Sequence, residues 1–270
     1  GGVFADGEQE YKDHIYYGIP NVKSKELSRY KNKNILVVGG GHSATNVLLD
    51  FADIQKEYPE TQINWVLRKK DISVVYGGKE DDALEARGAL GVRIEKLVNS
   101  GKLNVFTPFH ILKLTRNENG IQVKGELNGN VQTISNIDEI ISNTGSRPDL
   151  DIIREIRIDS DASLESVFDL AELIDPNIHS CGTVRPHGEQ ELRQPERDFY
   201  ILGSKSYGRA PTFLMATGYE QVRSVVAYLD GDFEAAKSVE LNLPETGVCS
   251  TDTGGVECCS TDNVEKASCC

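Results

Sequence analysis

Residues 34–44 read NILVVGGGHSA, and few stretches of this length restrict a fold so tightly. Ile35 to Val38 form an apolar β-type run, three glycines follow, and a helical pattern begins at Ser43. That is the strand, tight turn and helix start of a βαβ unit, with the glycine fingerprint G-x-G-x-x-A at Gly39, Gly41 and Ala44. A pyrophosphate suits such a turn, because the first N–H groups of a helix lack partners and its dipole is positive there. Gly39 would permit the turn, Gly41 would let the backbone approach the phosphate, and Ala44 would let helix and strand pack closely. His42 and Ser43 lie within the same turn. The competing reading is an ordinary tight turn between a strand and a helix.

The following residues complete the unit. Ala44, Val47, Leu48, Phe51 and Ile54 share one face of a helix over 43–57, and Pro59 stops it. Residues 62–67, QINWVL, form the second strand, with Arg68, Lys69 and Lys70 just past its end. An acidic residue there accepts from the ribose hydroxyls of NAD, whereas a basic one suits the 2′-phosphate of NADP. The cluster favours NADP, with Arg68 the first candidate and Lys69 the second; a solvated strand end would look the same. A helix over 81–98, interrupted by Gly88 and Gly91, precedes a short strand at 103–106. Three antiparallel strands follow at 111–115, 121–126 and 131–134, with turn chemistry at Asn119-Gly120 and Asn128-Gly129. A last apolar strand at 139–142 ends in Asn143, Thr144 and Gly145. The pattern predicts an α/β fold: a Rossmann-like domain at 34–148, a parallel sheet plus an antiparallel β-meander.

The flanks are less regular. Residues 1–33 read as an extended connector. Residues 149–198 are loop-rich, with a short helix expected at 164–173. A strand at 199–202 runs into Gly203, and a basic loop leads to Pro211. A helix is expected over 212–229, with Phe213, Ala216, Val222, Val225, Val226 and Leu229 apolar. From residue 238 onward six acids face Lys266 alone, and the composition suits a mobile tail. The formal charge of −13 argues against a nucleic-acid partner. No apolar run reaches membrane-spanning length and no signal peptide is visible, so no membrane partner and a cytoplasmic location are expected.

The segments Asn143-Thr144-Gly145, with Arg147-Pro148-Asp149 after them, and FYILGSKSYGRAPTFLMATGYEQV at 199–222 resemble the flavoproteins with two dinucleotide-binding domains. That superfamily includes thioredoxin reductases and flavin-containing monooxygenases. CGTVRPHGEQEL at 181–192 and SKSYGRAPTF resemble, more narrowly, flavoproteins encoded beside arsenic-resistance genes, often called monooxygenases. The resemblance implies NADPH and FAD as cofactors, with Thr144 and Gly145 closing the NADPH domain. It implies that 149–237 is the C-terminal part of an FAD-binding domain into which 34–148 is inserted, with 1–33 a connector and remnant of that domain. Gly203 matches the glycine of a Gly-Asp motif; Ser204 stands where an aspartate usually holds the ribityl chain, which weakens its assignment. Pro211, Thr212 and Phe213 would line the flavin edge at a helix start. The superfamily carries a first glycine fingerprint near its N-terminus, and none precedes Gly39, so a missing N-terminal portion is expected. A homodimer stays open, and no side chain demands a catalytic role.

Cysteine placement adds one absence and one cluster. No cysteine lies between Asn34 and Gly145, so the C-x-x-C route of thioredoxin reductases is not available there. Cys181 stands alone, flanked by His179 and His187, which read best as loop residues. The tail pairs Cys258-Cys259 and Cys269-Cys270, with Cys249 upstream. Vicinal thiolates suit soft ions such as As(III) or Hg(II), and mercuric reductases also end in a cysteine pair. The alternative function is therefore metalloid binding or delivery on a nucleotide-binding scaffold. The partner expected is a small-molecule substrate or a metalloid.

Overall fold

The structure is a computed structural model that describes residues 3–82, 85–179, 184–241 and 243. Its first part contains β1 (Ile15–Tyr17), α1 (Leu27–Tyr30), β2 (Asn34–Val38), α2 (His42–Glu57) and β3 (Gln62–Val66). Next come α3 (Ser73–Tyr76), α4 (Glu85–Asn99), β4 (Asn104–Phe106), β5 (Phe109–Asn117), β6 (Gly120–Leu127), β7 (Asn130–Ile137) and β8 (Glu139–Ser142). The second part holds α5 (Ala171–Ile174), α6 (Glu189–Leu192), α7 (Met215–Leu229) and α8 (Phe233–Lys237).

Five parallel strands form one sheet in the order β1-β8-β2-β3-β4, and β5-β6-β7 form an antiparallel sheet. Side chains alternate across a strand, so each β2 residue has an assigned layer. Ile35 and Val37 join Val47, Leu48 and Phe51 of α2 in one core, together with Trp65 of β3. Leu36 joins Phe109, Leu114, Ile121 and Val123 of the antiparallel sheet in a second core. Both faces are covered, which is why Ile35, Leu36 and Val37 are all buried. Register is reinforced by an asparagine ladder. Asn64 Nδ2 donates to Asn34 Oδ1 (2.7 Å), and Asn104 Nδ2 donates to Asn64 Oδ1 (3.1 Å).

Three expectations change. The stretch at 1–33 is not a bare connector: β1 pairs with β8, and Asp6 inserts beside the bulge of β5, exchanging backbone hydrogen bonds with Leu112 and Leu114. Its alternation is too short to stand out against polar neighbours. Gly88 and Gly91 do not interrupt α4. A Cβ at either would come within 2.0 Å of the Lys79 carbonyl oxygen or 1.8 Å of the Tyr76 one, so both serve close packing against the preceding loop.

The second part has its own core, built from Val167, Leu170, Ile174, Leu192, Ile201, Tyr207 and Val225. The expected strand at 199–202 is reduced to one bridge between Arg193 and Tyr200; among the described residues it has no neighbouring strand to complete a ladder. The expected helix at 212–229 starts at Met215, because Leu214 is extended and Thr212 Oγ1 is held by the Ile174 carbonyl. Its buried face is Thr217, Gly218, Gln221, Ser224 and Val225, mostly polar. Met215, Tyr219, Val222, Val226 and Leu229 form an exposed apolar stripe instead. The short helix expected at 164–173 is a 3-10 turn at Phe168–Leu170 followed by α5.

Candidate functional site

The chain reverses direction across the sheet at β2. From there β3 and β4 lie on one side, and β8 and β1 on the other. The C-terminal ends of two strands that diverge in this way leave a crevice, the usual ligand position in open α/β sheets. The glycine turn follows β2 and Asn143-Thr144-Gly145 follows β8, so the two motifs stand side by side at this crevice.

The turn is held from below. Gly39 N–H donates to the Val66 carbonyl (2.9 Å), and the Trp65 indole N–H donates to the Gly39 carbonyl (2.7 Å). Gly39 has φ +133°, and a Cβ there would lie 2.3 Å from the Asn143 carbonyl oxygen. Only glycine serves at that position. Asn143 itself bonds the Val38 carbonyl through its N–H (2.7 Å) and the Gly18 carbonyl through Nδ2 (2.8 Å), joining the ends of three strands. Above the turn the surface is open: a Cβ on Gly41 would meet nothing within 4 Å. Gly41 is the N-cap of α2 and no side chain caps it, so the first N–H groups of the helix are available to an anion. Ala44 is fully buried against β2, as close packing requires, while Ser43 is exposed.

The cations near the turn sort by strand alternation. Arg68 and Lys70 line a cleft of about 350 Å³ with Pro108, His110, Glu126, Asn128 and Gly129, beside the antiparallel sheet. Lys69 lies on the other side, near His42. The His42 imidazole is held below its ordinary pKa first by burial, then by the positive charges of Arg87 and Lys69, with Asp82 opposing them. Arg87 is itself fixed by a two-pronged pair with the buried Asp82 carboxylate (2.6 and 2.8 Å). Arg87, Asp82 and Trp65 are site residues that motif reading missed. The signal for Arg87 was its place in the first turn of α4, where a base opposes the helix dipole.

Thr144 and Gly145 are exposed, with a hydrogen-bond contact between the Thr144 and Ser142 hydroxyls (3.2 Å). In the second part Gly203 is left-handed (φ +70°), Ser204 and Pro211 are exposed, and Phe213 packs its ring edge-on to Tyr207. The Thr212 side chain is fully buried, so its hydroxyl does not face a ligand. Phe213 and Pro211 precede the helix start by a short extended segment. Cys181, Cys249, Cys258, Cys259, Cys269 and Cys270 lie outside the described residues. Among the described residues no group of three or more His, Cys, Asp or Glu side chains could hold a metal. His179 contacts the Glu172 carbonyl, and no described helix is long and apolar enough to cross a membrane.

No protein-family model and no curated protein matches the chain. Solved structures do. Bacillithiol disulfide reductase of Bacillus cereus aligns with TM-score 0.56 at 16% identity, over 84% of this chain and 57% of that one. The desferrioxamine-pathway cadaverine monooxygenase of Erwinia amylovora, solved with FAD, aligns with TM-score 0.55 at 13% identity, over 96% and 62%. Thioredoxin reductase of Lactococcus lactis aligns with TM-score 0.51 at 15% identity, over 88% and 62%. The fold is the one these oxidoreductases share. The chain spans about three-fifths of their length.

Proposed function

We propose that this chain is the nicotinamide-binding part, with one edge of the flavin-binding part, of an NADPH-dependent FAD oxidoreductase of monooxygenase type. The observation that carries the reading is the uncapped glycine turn at the crevice between β2 and β8, with Lys69 and Arg87 beside it. The turn and the first turn of α2 would hold the pyrophosphate. Lys69, with Arg87 drawn from Asp82, would hold the 2′-phosphate, and Arg68 and Lys70 would flank it from the adjoining cleft. Bound NADPH supplies a hydride, for which the protein contributes orientation and exclusion of water.

The flavin side fits only in part. Gly203, Ser204 and the uncapped start of α7 offer one edge. Thr212 is turned inward, and no second glycine fingerprint stands ahead of Gly39 in these 270 residues. No step is therefore derived through FAD. A disulfide reductase of the thioredoxin reductase kind is disfavoured by the absence of cysteine from 34–145.

The decisive experiment is calorimetric titration with NADPH and NADH. Lys69→Ala is expected to weaken NADPH by about tenfold or more, the loss of a charged hydrogen bond, and to leave NADH unchanged. Equal losses for both nucleotides would remove the 2′-phosphate assignment, and a wild-type chain that binds neither would remove the nicotinamide reading. A link to arsenic rests on the resemblance at 181–192 and on the paired tail thiols. Arsenite titration with and without residues 249–270 tests it; equal affinity would take the tail out of the proposal.

A further inference from the structure

The core of the second part contains an unusual element, a buried polar chain beneath α7. His187, Ser206, Tyr207, Gln221 and Ser224 are all essentially inaccessible to solvent. Their hydrogen bonds have a direction that can be worked out from the ends inward. The Arg185 carbonyl lies 2.9 Å from His187 Nδ1 and can only accept, so Nδ1 carries the proton. Burial holds the imidazole below its ordinary pKa, against the Arg185 hydrogen bond and the Glu191 carboxylate, so it is neutral. Nε2 is then an acceptor. Tyr207 Oη and Gln221 Nε2 both lie 3.3 Å from it.

That fixes the Gln221 amide. Its NH₂ faces His187 Nε2 and Ser206 Oγ (3.0 Å), and its Oε1 takes the Gly203 N–H (2.8 Å). Ser206 Oγ in turn donates to the Gly203 carbonyl (2.7 Å). The left-handed Gly203 is thus gripped at both its N–H and its carbonyl. The second arm runs through Tyr207, whose ring meets Phe213 edge-on at 5.2 Å.

We propose that His187 is a positioning residue for the ligand-facing segments of the second part, holding the Gly203–Tyr207 loop through Gln221 and Phe213 through Tyr207. Protonation of the imidazole would turn Nε2 into a donor facing the Gln221 NH₂. The amide could answer only by reversing, which would set its NH₂ against the Gly203 N–H. Acid therefore releases the loop while the sheet keeps its own bonds. The titratable groups facing His187 are Tyr207 from the loop and Glu191 from α6. The α7 face presents Gln221 and Ser224, which do not titrate. The functional meaning of the loop rests on the flavin reading above; the hydrogen-bond chain does not.

Hydrogen exchange of the full-length chain without added flavin tests this independently of that reading. His187→Phe is expected to lower amide protection across 203–207 by about tenfold, the worth of roughly one buried hydrogen bond, with protection of 35–38 unchanged. His187→Gln, which can place an acceptor near the Nε2 position and does not titrate, should restore most of that protection and remove its loss in acid. Unchanged protection at 203–207 in His187→Phe would overturn the proposal, and so would a loss shared equally with 35–38. Should the Phe variant fail to fold, nitrogen NMR of the wild-type imidazole decides. A neutral ring protonated at Nδ1 supports the chain, and one protonated at Nε2 overturns it.

Discussion

At the scale of single residues the two informative histidines are those that burial keeps neutral, His42 in the glycine turn and His187 beneath α7. Each has its folded pKa pushed below the unfolded value of 6.5. The unfolded chain therefore binds more protons near that pH, and stability falls as pH falls. The stabilising contribution is complete above 6.5 and is lost on descending through the folded values. Urea midpoints at about pH 7.5 and about pH 5.5 should show this drop, and His42→Asn should make it smaller. An undiminished drop in that variant would mean that His42 is charged in the folded protein. The sequence made His42 visible by its place in the fingerprint. It gave no hint of the neighbours that decide its charge, because Lys69, Asp82 and Arg87 arrive from two other elements.

Among the elements, legibility followed how far a residue pattern depends on its own neighbours. The β2–turn–α2–β3 segment was readable because period 2 and period 3.6 both follow from local geometry. The Asn-Gly turns likewise announced the antiparallel sheet. The bridge at Tyr200 was misread because a strand requires a partner that lies elsewhere. The helix α7 was misread in a more instructive way. Its apolar stripe is real in sequence, yet Met215, Tyr219, Val222, Val226 and Leu229 face solvent, while Thr217, Gln221 and Ser224 are buried. Periodicity shows that a helix has two faces but not which face meets this part of the core. Adjacent valines give a direct check. Val225→Ser, at a 3% exposed position, is expected to cost about 2–3 kcal/mol. Val226→Ser, at 57%, should stay within about 0.5 kcal/mol. Urea unfolding that reversed this order would mean the helix is rolled relative to its core.

For the whole molecule, an acidic chain with net charge −13 gathers Arg68, Lys69, Lys70 and Arg87 around one crevice. Local positive charge within an acidic body gives an anionic ligand one favoured place to dock. That place lies where β2 and β8 end, and Trp65, the only tryptophan in the sequence, sits directly beneath it with its indole N–H on the Gly39 carbonyl. The protein therefore carries a built-in optical gauge. Every photon of indole emission originates at the floor of the turn, and the reduced nicotinamide absorbs in the band where indole emits. Adding NADPH should dim that emission by energy transfer and saturate with occupancy, whereas NADP⁺, which lacks the absorption band, should leave most of it. Equal dimming by both forms would place the nicotinamide ring out of transfer range of the indole.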